Sequence, residues 1–273
     1  MLFATGTNSA FAERNDGAQV AVPHDDNDAS AAHCALFVIA STLRRTAAKL
    51  RAPGAAAALA RAVLAATCIA AWVAGSAAWD PQNLQRAART RGPQVIESVR
   101  ALQAVLAGVE GKDEAAKLAA INDFYNRRIV FATDEEVWGQ VDYWASPLEM
   151  FEKGRGDCED FVIGKYFSLI AAGVPSARLR LVYVRAQIGG ADGVVQAHMV
   201  LAYYAQPNAE PLVLDNLIGE IRPASRRPDL APVFSFNSEG LWQGTGAQSA
   251  GDPVARLSRW REVLAKARAE GFP

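Results

Sequence analysis

Cys158 sits in the run Gly156-Asp157-Cys158-Glu159-Asp160, and it is the one cysteine after residue 78 in a chain of 273 residues that holds three. His198 is likewise the one histidine beyond that point. A thiol activated by an imidazole, with an acid to orient the imidazole, is the equipment of nucleophilic acyl transfer. Asp157 is placed to cap a helix, which puts Cys158 at its first position, where free N–H groups and the helix dipole favour an anion. Thiolates so placed have pKa values lowered to about 3.5–7.5. Asp157, Glu159 and Asp160 work against this, because their negative charge disfavours a second anion. An imidazolium or a bound cation is needed to offset them.

The acid partner follows from strand register. Residues 194–204 and 209–217 read as two strands of a hairpin centred on Gln206/Pro207. In that register His198 and Asp215 are direct cross-strand partners, with Cβ atoms about 5 Å apart on one face. A slip of one residue would separate the faces. Each residue alone has a plainer reading. A lone cysteine at a helix start is usually a small buried hydrophobe, a strand histidine is usually structural, and acidic first turns usually just complement the dipole. The coincidence of the three roles favours an enzyme.

These residues need a helix and a sheet to position them. Residues 81–92 read as a polar lead-in. Ile96, Val99, Leu102 and Leu106 recur at helical spacing from Pro93 and stop at Gly108/Gly111; a second helix follows Asp113 through Leu118, Ile121, Phe124 and Tyr125. Residues 129–131 are strand-like, and 132–147 form an irregular aromatic stretch with Trp138, Tyr143 and Trp144. The nucleophile helix runs from Cys158 to a stop at Gly173. The period then becomes two: strands at 179–186 and 194–204, a third from Leu212 to Leu217, and a late one at 234–243 before an amphipathic helix at 254–268. Helices followed by an antiparallel meander make an α+β fold.

The first 78 residues read differently. Arg44, Arg45, Lys49 and Arg51 flank an uncharged apolar run at 62–78 that ends in Ser76-Ala77-Ala78. That order describes a secretory signal peptide over residues 43–78, with an uncleaved membrane anchor as the alternative. Residues 1–42 read as an over-extended or disordered leader, and 79–273 as the folded domain. Export leaves Cys158 without a partner for an internal disulfide. A net charge of −1 supplies no footprint for a nucleic-acid backbone, so nucleic acid is not an expected partner.

The run YWASPLEMFEKGRGDCEDF at 143–161, with QAHMVLAYY at 196–204 and LVLDNL at 212–217, resembles the bacterial transglutaminase-like cysteine proteinases of the LapG type. The likeness spans roughly residues 90–245. It implies a papain/transglutaminase-like core, with the nucleophile helix packed on an antiparallel sheet, and a triad of Cys158, His198 and Asp215. It further implies a periplasmic, calcium-dependent endopeptidase that cuts a large surface adhesin near a di-alanine site and so releases biofilms. An inner-membrane receptor for cyclic di-GMP sequesters such enzymes. By the same likeness Asp157, Glu159 and Asp160 match calcium ligands, and Trp138 is the aromatic for receptor docking. Spacing alone leaves two rivals open: another acyl-transfer enzyme (a transglutaminase or a peptidoglycan amidase), and a non-catalytic calcium-binding regulatory module.

Overall fold

The computed structural model describes residues 79–190, 192–246 and 248–273. The expected leader at 1–42 and signal segment at 43–78 lie outside the described residues. No helix among the described residues is long and apolar enough to cross a membrane.

Helices come first. α1 spans Pro81–Arg91, α2 Pro93–Gly108 and α3 Glu114–Arg128. The stretch expected to be a polar lead-in is thus helical. Asp80 caps it by accepting from the N–H groups of Gln82 and Asn83 at 3.0 and 2.9 Å, and Pro81 is preset for the first turn. Only Leu84 and Ala88 are buried there, one i, i+4 pair, which is too thin a stripe to register as periodicity. The short parallel pair β1 (Val130–Phe131) and β2 (Arg155–Gly156) brackets α4 (Asp134–Trp138) and α5 (Pro147–Lys153). The aromatic stretch is therefore less irregular than expected. Thr133 and Glu136 close a capping box at the start of α4, and Ser146 and Glu149 close another at α5.

α6 spans Cys158–Ala171, so Cys158 stands at its first position. The helix crosses α3 so closely that a Cβ on Gly164 would lie 2.4 Å from the Tyr125 ring, so only glycine fits. Behind it stands a seven-stranded antiparallel sheet: β3 (Leu179–Ile188), β4 (Val194–Tyr203), β5 (Leu212–Leu214), β6 (Arg222–Pro223), β7 (Leu230–Phe236), β8 (Leu241–Gln243) and β9 (Ser249–Gly251), in the order β6-β5-β4-β3-β7-β8-β9. Odd-numbered positions of β4 (Met199, Leu201, Tyr203) join the main core with α6, while Val200 and Ala202 belong to a smaller cluster with Val182, Val184 and Val213. The expected strand at 234–243 is two strands, turned where the Asn237 N–H donates to Gly240 O at 3.0 Å. The last expected helix breaks at Leu257 into α7 (Pro253–Arg256) and α8 (Ser258–Glu270). Trp260 of α8 is fully buried against Phe167 and Phe236, with ring centroids 5.9 and 5.3 Å away.

α8 ends on a tie to the front of the molecule. The buried Glu270 carboxylate accepts from the Ser146 hydroxyl, from the Leu148 N–H at 3.2 Å and from Arg91 Nη2 at 3.2 Å. It thereby fixes the start of α5 and the end of α1. Burial pushes its pKa up to about 7 against those donors.

Candidate active site

His198 is the first buried residue of β4 after four exposed ones. Its Nε2 lies 2.8 Å from Asp215 Oδ1, and both side chains are almost wholly buried. The register is not the one expected. β4 and β5 pair Leu201 with Leu214 and Tyr203 with Leu212, two residues away from the alignment that sets His198 opposite Asp215. The connection is wider than a tight turn at Gln206/Pro207, and β5 ends at Leu214, so Asp215 opens the following loop. An even slip keeps the alternation of faces intact, and the contact survives as a diagonal one.

The loop is pinned from α3. Asn126 Nδ2 donates to Asp215 O and Asn122 Nδ2 to Gly219 O, each at 2.8 Å. Asp215 Oδ1 also accepts from the Leu217 N–H at 3.0 Å, and Oδ2 accepts from Arg227 Nη2 at 2.7 Å. Burial would push this carboxyl up. The hydrogen bond and charge of His198, the Leu217 amide and Arg227 outweigh it and hold the pKa down to about 2. Nearby on α6, Lys165 is completely buried, with its Nζ in no hydrogen bond and 5.7 Å from the Phe161 ring centroid. Burial pulls its pKa down to about 7, opposed by the Asp215 charge.

Cys158 occupies the first position of α6, as expected. Its Sγ donates to Glu159 Oε2 at 2.7 Å. Burial first, and then the charges of Glu159 and Asp157, push the thiol well above its ordinary range. The backbone N–H of Met199, the residue after His198, acts the other way and favours the thiolate.

The acidic residues near Cys158 fall into two groups that share Asp157. Asp157 stands at the N-cap position but makes no capping bond. It turns instead toward Asp160 and toward Asp134 on α4, which the sequence reading missed. Ligand oxygens of Asp134, Asp157 and Asp160 all lie within 4.8 Å of one another, whereas Glu159 groups with Asp157 and Cys158. Asp160 Oδ1 accepts from the Ala145 N–H at 2.8 Å, and Asp134 Oδ2 accepts from the Tyr143 N–H. Of the four other oxygens, Asp134 Oδ1, Asp157 Oδ1 and Asp160 Oδ2 are buried with no hydrogen-bond partner. Burial and mutual repulsion push Asp157 up to about 10 and Asp134 to about 6. Gly156 leaves room for the cluster, since a Cβ there would sit 2.6 Å from Asp160 Oδ2.

Two buried carboxylates and the half-buried Asp157, each with an oxygen that has no hydrogen-bond partner and with ligand oxygens within 4.8 Å of one another, suit a hard cation that prefers oxygen ligands and tolerates irregular geometry. Trp138 closes α4, half-buried, its ring centroid 4.5 Å from that of Tyr143 and 4.9 Å from Lys153 Nζ.

The profile of the bacterial transglutaminase-like cysteine proteinases matches residues 99–229. Among solved structures the chain is similar to Legionella pneumophila LapG, at 36% identity and a TM-score of 0.60, over 70% of this chain and 98% of that one. An EGTA-treated form of that protein matches at 37% identity and a TM-score of 0.62, over 70% and 98% of the two chains. Its calcium-bound form matches at 37% and 0.60, over 68% and 98%. No curated protein matches significantly.

Proposed function

The chain belongs to the bacterial transglutaminase-like cysteine proteinases, and from that premise we propose that it is a calcium-dependent cysteine endopeptidase working through Cys158, His198 and Asp215. The observation that carries this reading is a shared strand. β4 presents His198, held by Asp215, and the same strand packs against α6, the helix that begins at Cys158.

Cys158 Sγ attacks the scissile carbonyl carbon. Because Nε2 of His198 is committed to Asp215, Nδ1 is the nitrogen that takes the thiol proton and later returns it to the leaving amine. Asp215 orients the ring and balances the imidazolium. The Cys158 N–H, at a helix start, serves as an oxyanion donor.

Asp134, Asp157 and Asp160 would hold the calcium, each through the oxygen that has no other partner. When bound, the cation supplies positive charge beside the thiol, where the chain itself has placed carboxylates. The calcium-bound and EGTA-treated LapG structures support calcium as the cation.

Family membership supports a large surface adhesin as substrate, cut near a di-alanine site, and an inner-membrane cyclic di-GMP receptor as the controlling partner, with Trp138 at the docking surface. Periplasmic location rests on the signal segment at 43–78, with an inner-membrane anchor facing the periplasm as the alternative. Amino-terminal sequencing of the periplasmic protein is expected to begin at Trp79. The deciding experiment is Cys158→Ala: cleavage of a purified adhesin fragment, read on a gel, is abolished while the melting curve is retained. Cleavage that survives the substitution overturns the reading.

A further inference from the structure

We infer that Arg227 is a positioning residue of this site, clamping the Asp215 carboxylate in the orientation that serves His198, with Asp229 as its fixed counter-charge. The inference rests on the triad reading above. It starts from the division of labour at Asp215. Oδ1 takes both the His198 ring and the Leu217 N–H, and Oδ2 takes only Arg227, at 2.7 Å. The terminal torsion of an aspartate is broad and roughly two-fold, so a carboxylate with one occupied oxygen is free to tilt. Arg227 removes that freedom.

The clamp is itself clamped. Arg227 is 3% exposed. Its Nε donates to Asp229 Oδ1 at 3.0 Å and its Nη2 to Asp229 Oδ2 at 2.8 Å, so the planar fork has one setting. The Asp229 carbonyl accepts from the Gln187 N–H at 2.8 Å, which ties this segment to β3, the strand paired with His198. His198, Asp215, Arg227 and Asp229 therefore form one row of alternating donors and acceptors, anchored at both ends to neighbouring strands. Stability alone is a poor reason for the arrangement. Buried ion pairs often contribute little net stability, and here Arg227 Nη1 is buried without a partner.

The test compares Arg227→Met, Arg227→Lys, Asp215→Ala and the Asp215→Ala/Arg227→Met pair in the calcium-loaded protein, with Cys158→Ala as control. Arg227→Met is expected to lower kcat by roughly ten- to a hundredfold, the size seen when an outer partner of a site group is lost, and to leave KM within about twofold. Added to Asp215→Ala, it costs no further activity. Nitrogen NMR of the His198 ring, assigned with His198→Gln, is expected to show the Nε2–H tautomer in the wild type and a mixture in Arg227→Met. Should Arg227→Met fail to fold, Arg227→Lys keeps the charge but loses the fork, and shows the same kcat loss at smaller size. Wild-type kcat in Arg227→Lys, losses that multiply in the double variant, or an unchanged tautomer each overturn the inference. If Cys158→Ala still cleaves, the triad reading itself falls. If it is dead while the Arg227 variants keep wild-type kcat, only the role of Arg227 falls.

Discussion

His198 and Asp215 touch at 2.8 Å although the β4–β5 ladder does not set them opposite one another. The pairing is diagonal, and Asp215 reaches it from the first residue of a loop that α3 holds in place through Asn126 and Asn122. Asp215 is thus fixed by a helix on one side and an arginine on the other, rather than by strand pairing.

From this geometry, His198→Ala is expected to lower kcat by about 10²–10⁴, the usual worth of a general acid–base. Asp215→Asn keeps one acceptor for the ring and loses less. Steady-state cleavage of an adhesin fragment ranks the two variants. Equal, mild losses from both would show that the pair does not move the proton.

Calcium removal is expected to stop cleavage, and adding it back to restore it. A ligand that binds only the native state also raises the melting temperature, by an amount that grows with its concentration. Asp134→Asn should abolish that rise as fully as Asp160→Asn does, because both carboxylates have an unpartnered oxygen and their ligand oxygens lie within 4.8 Å of each other. A normal calcium-induced shift in Asp134→Asn removes α4 from the site.

The acidic cluster gives the chelated protein a characteristic pH dependence. Asp134 and Asp157 have folded-state pKa values raised to about 6 and about 10 from 3.8, so the native state holds protons that the unfolded chain has released. The stability these two groups supply is complete at pH 4 and below and is lost as pH rises through 6 and on towards 10, while Lys165, held down to about 7, adds a rise above neutrality. Calcium takes the place of those protons and flattens the slope. Glu270, raised to about 7 by burial, adds a decline up to neutrality that calcium leaves untouched. Melting curves from pH 4 to 9, with and without chelator, check this. Identical slopes in the two series would mean that the cluster binds no cation.

Gly156→Ala is expected to weaken calcium binding at least about tenfold while the fold survives, since the new methyl would press on Asp160 Oδ2 and not on the core. A calcium titration followed by tryptophan fluorescence reads the affinity. Unchanged affinity would place the cation away from Asp160.

What the sequence made legible was local. The start of α6 follows from a glycine turn and an acidic first turn, and its end from Gly173, so the position of Cys158 needs no tertiary information. β3 and β4 follow from period-two runs. Asp134 and Arg227 had no such signal, because their partners are set by chain packing and not by spacing. The Thr133–Glu136 capping box was readable and marks α4, yet it says nothing of where Asp134 points. Residue type alone makes Asp157 a cap. Once Asp134 and Asp160 lie beside it, its carboxylate joins them instead.

The bond between Glu270 and Ser146 spans 124 residues of sequence. Ser146 follows directly on Ala145, whose N–H holds Asp160, so this stretch of the site waits for a carboxylate that is synthesised after the entire sheet. A nascent chain that has made Cys158, His198 and Asp215 still lacks the brace for the loop beside them. The loop that holds Asp160 is therefore braced only after α8 has been made and has docked, so a chain truncated before α8 loses the brace while keeping every strand of the sheet.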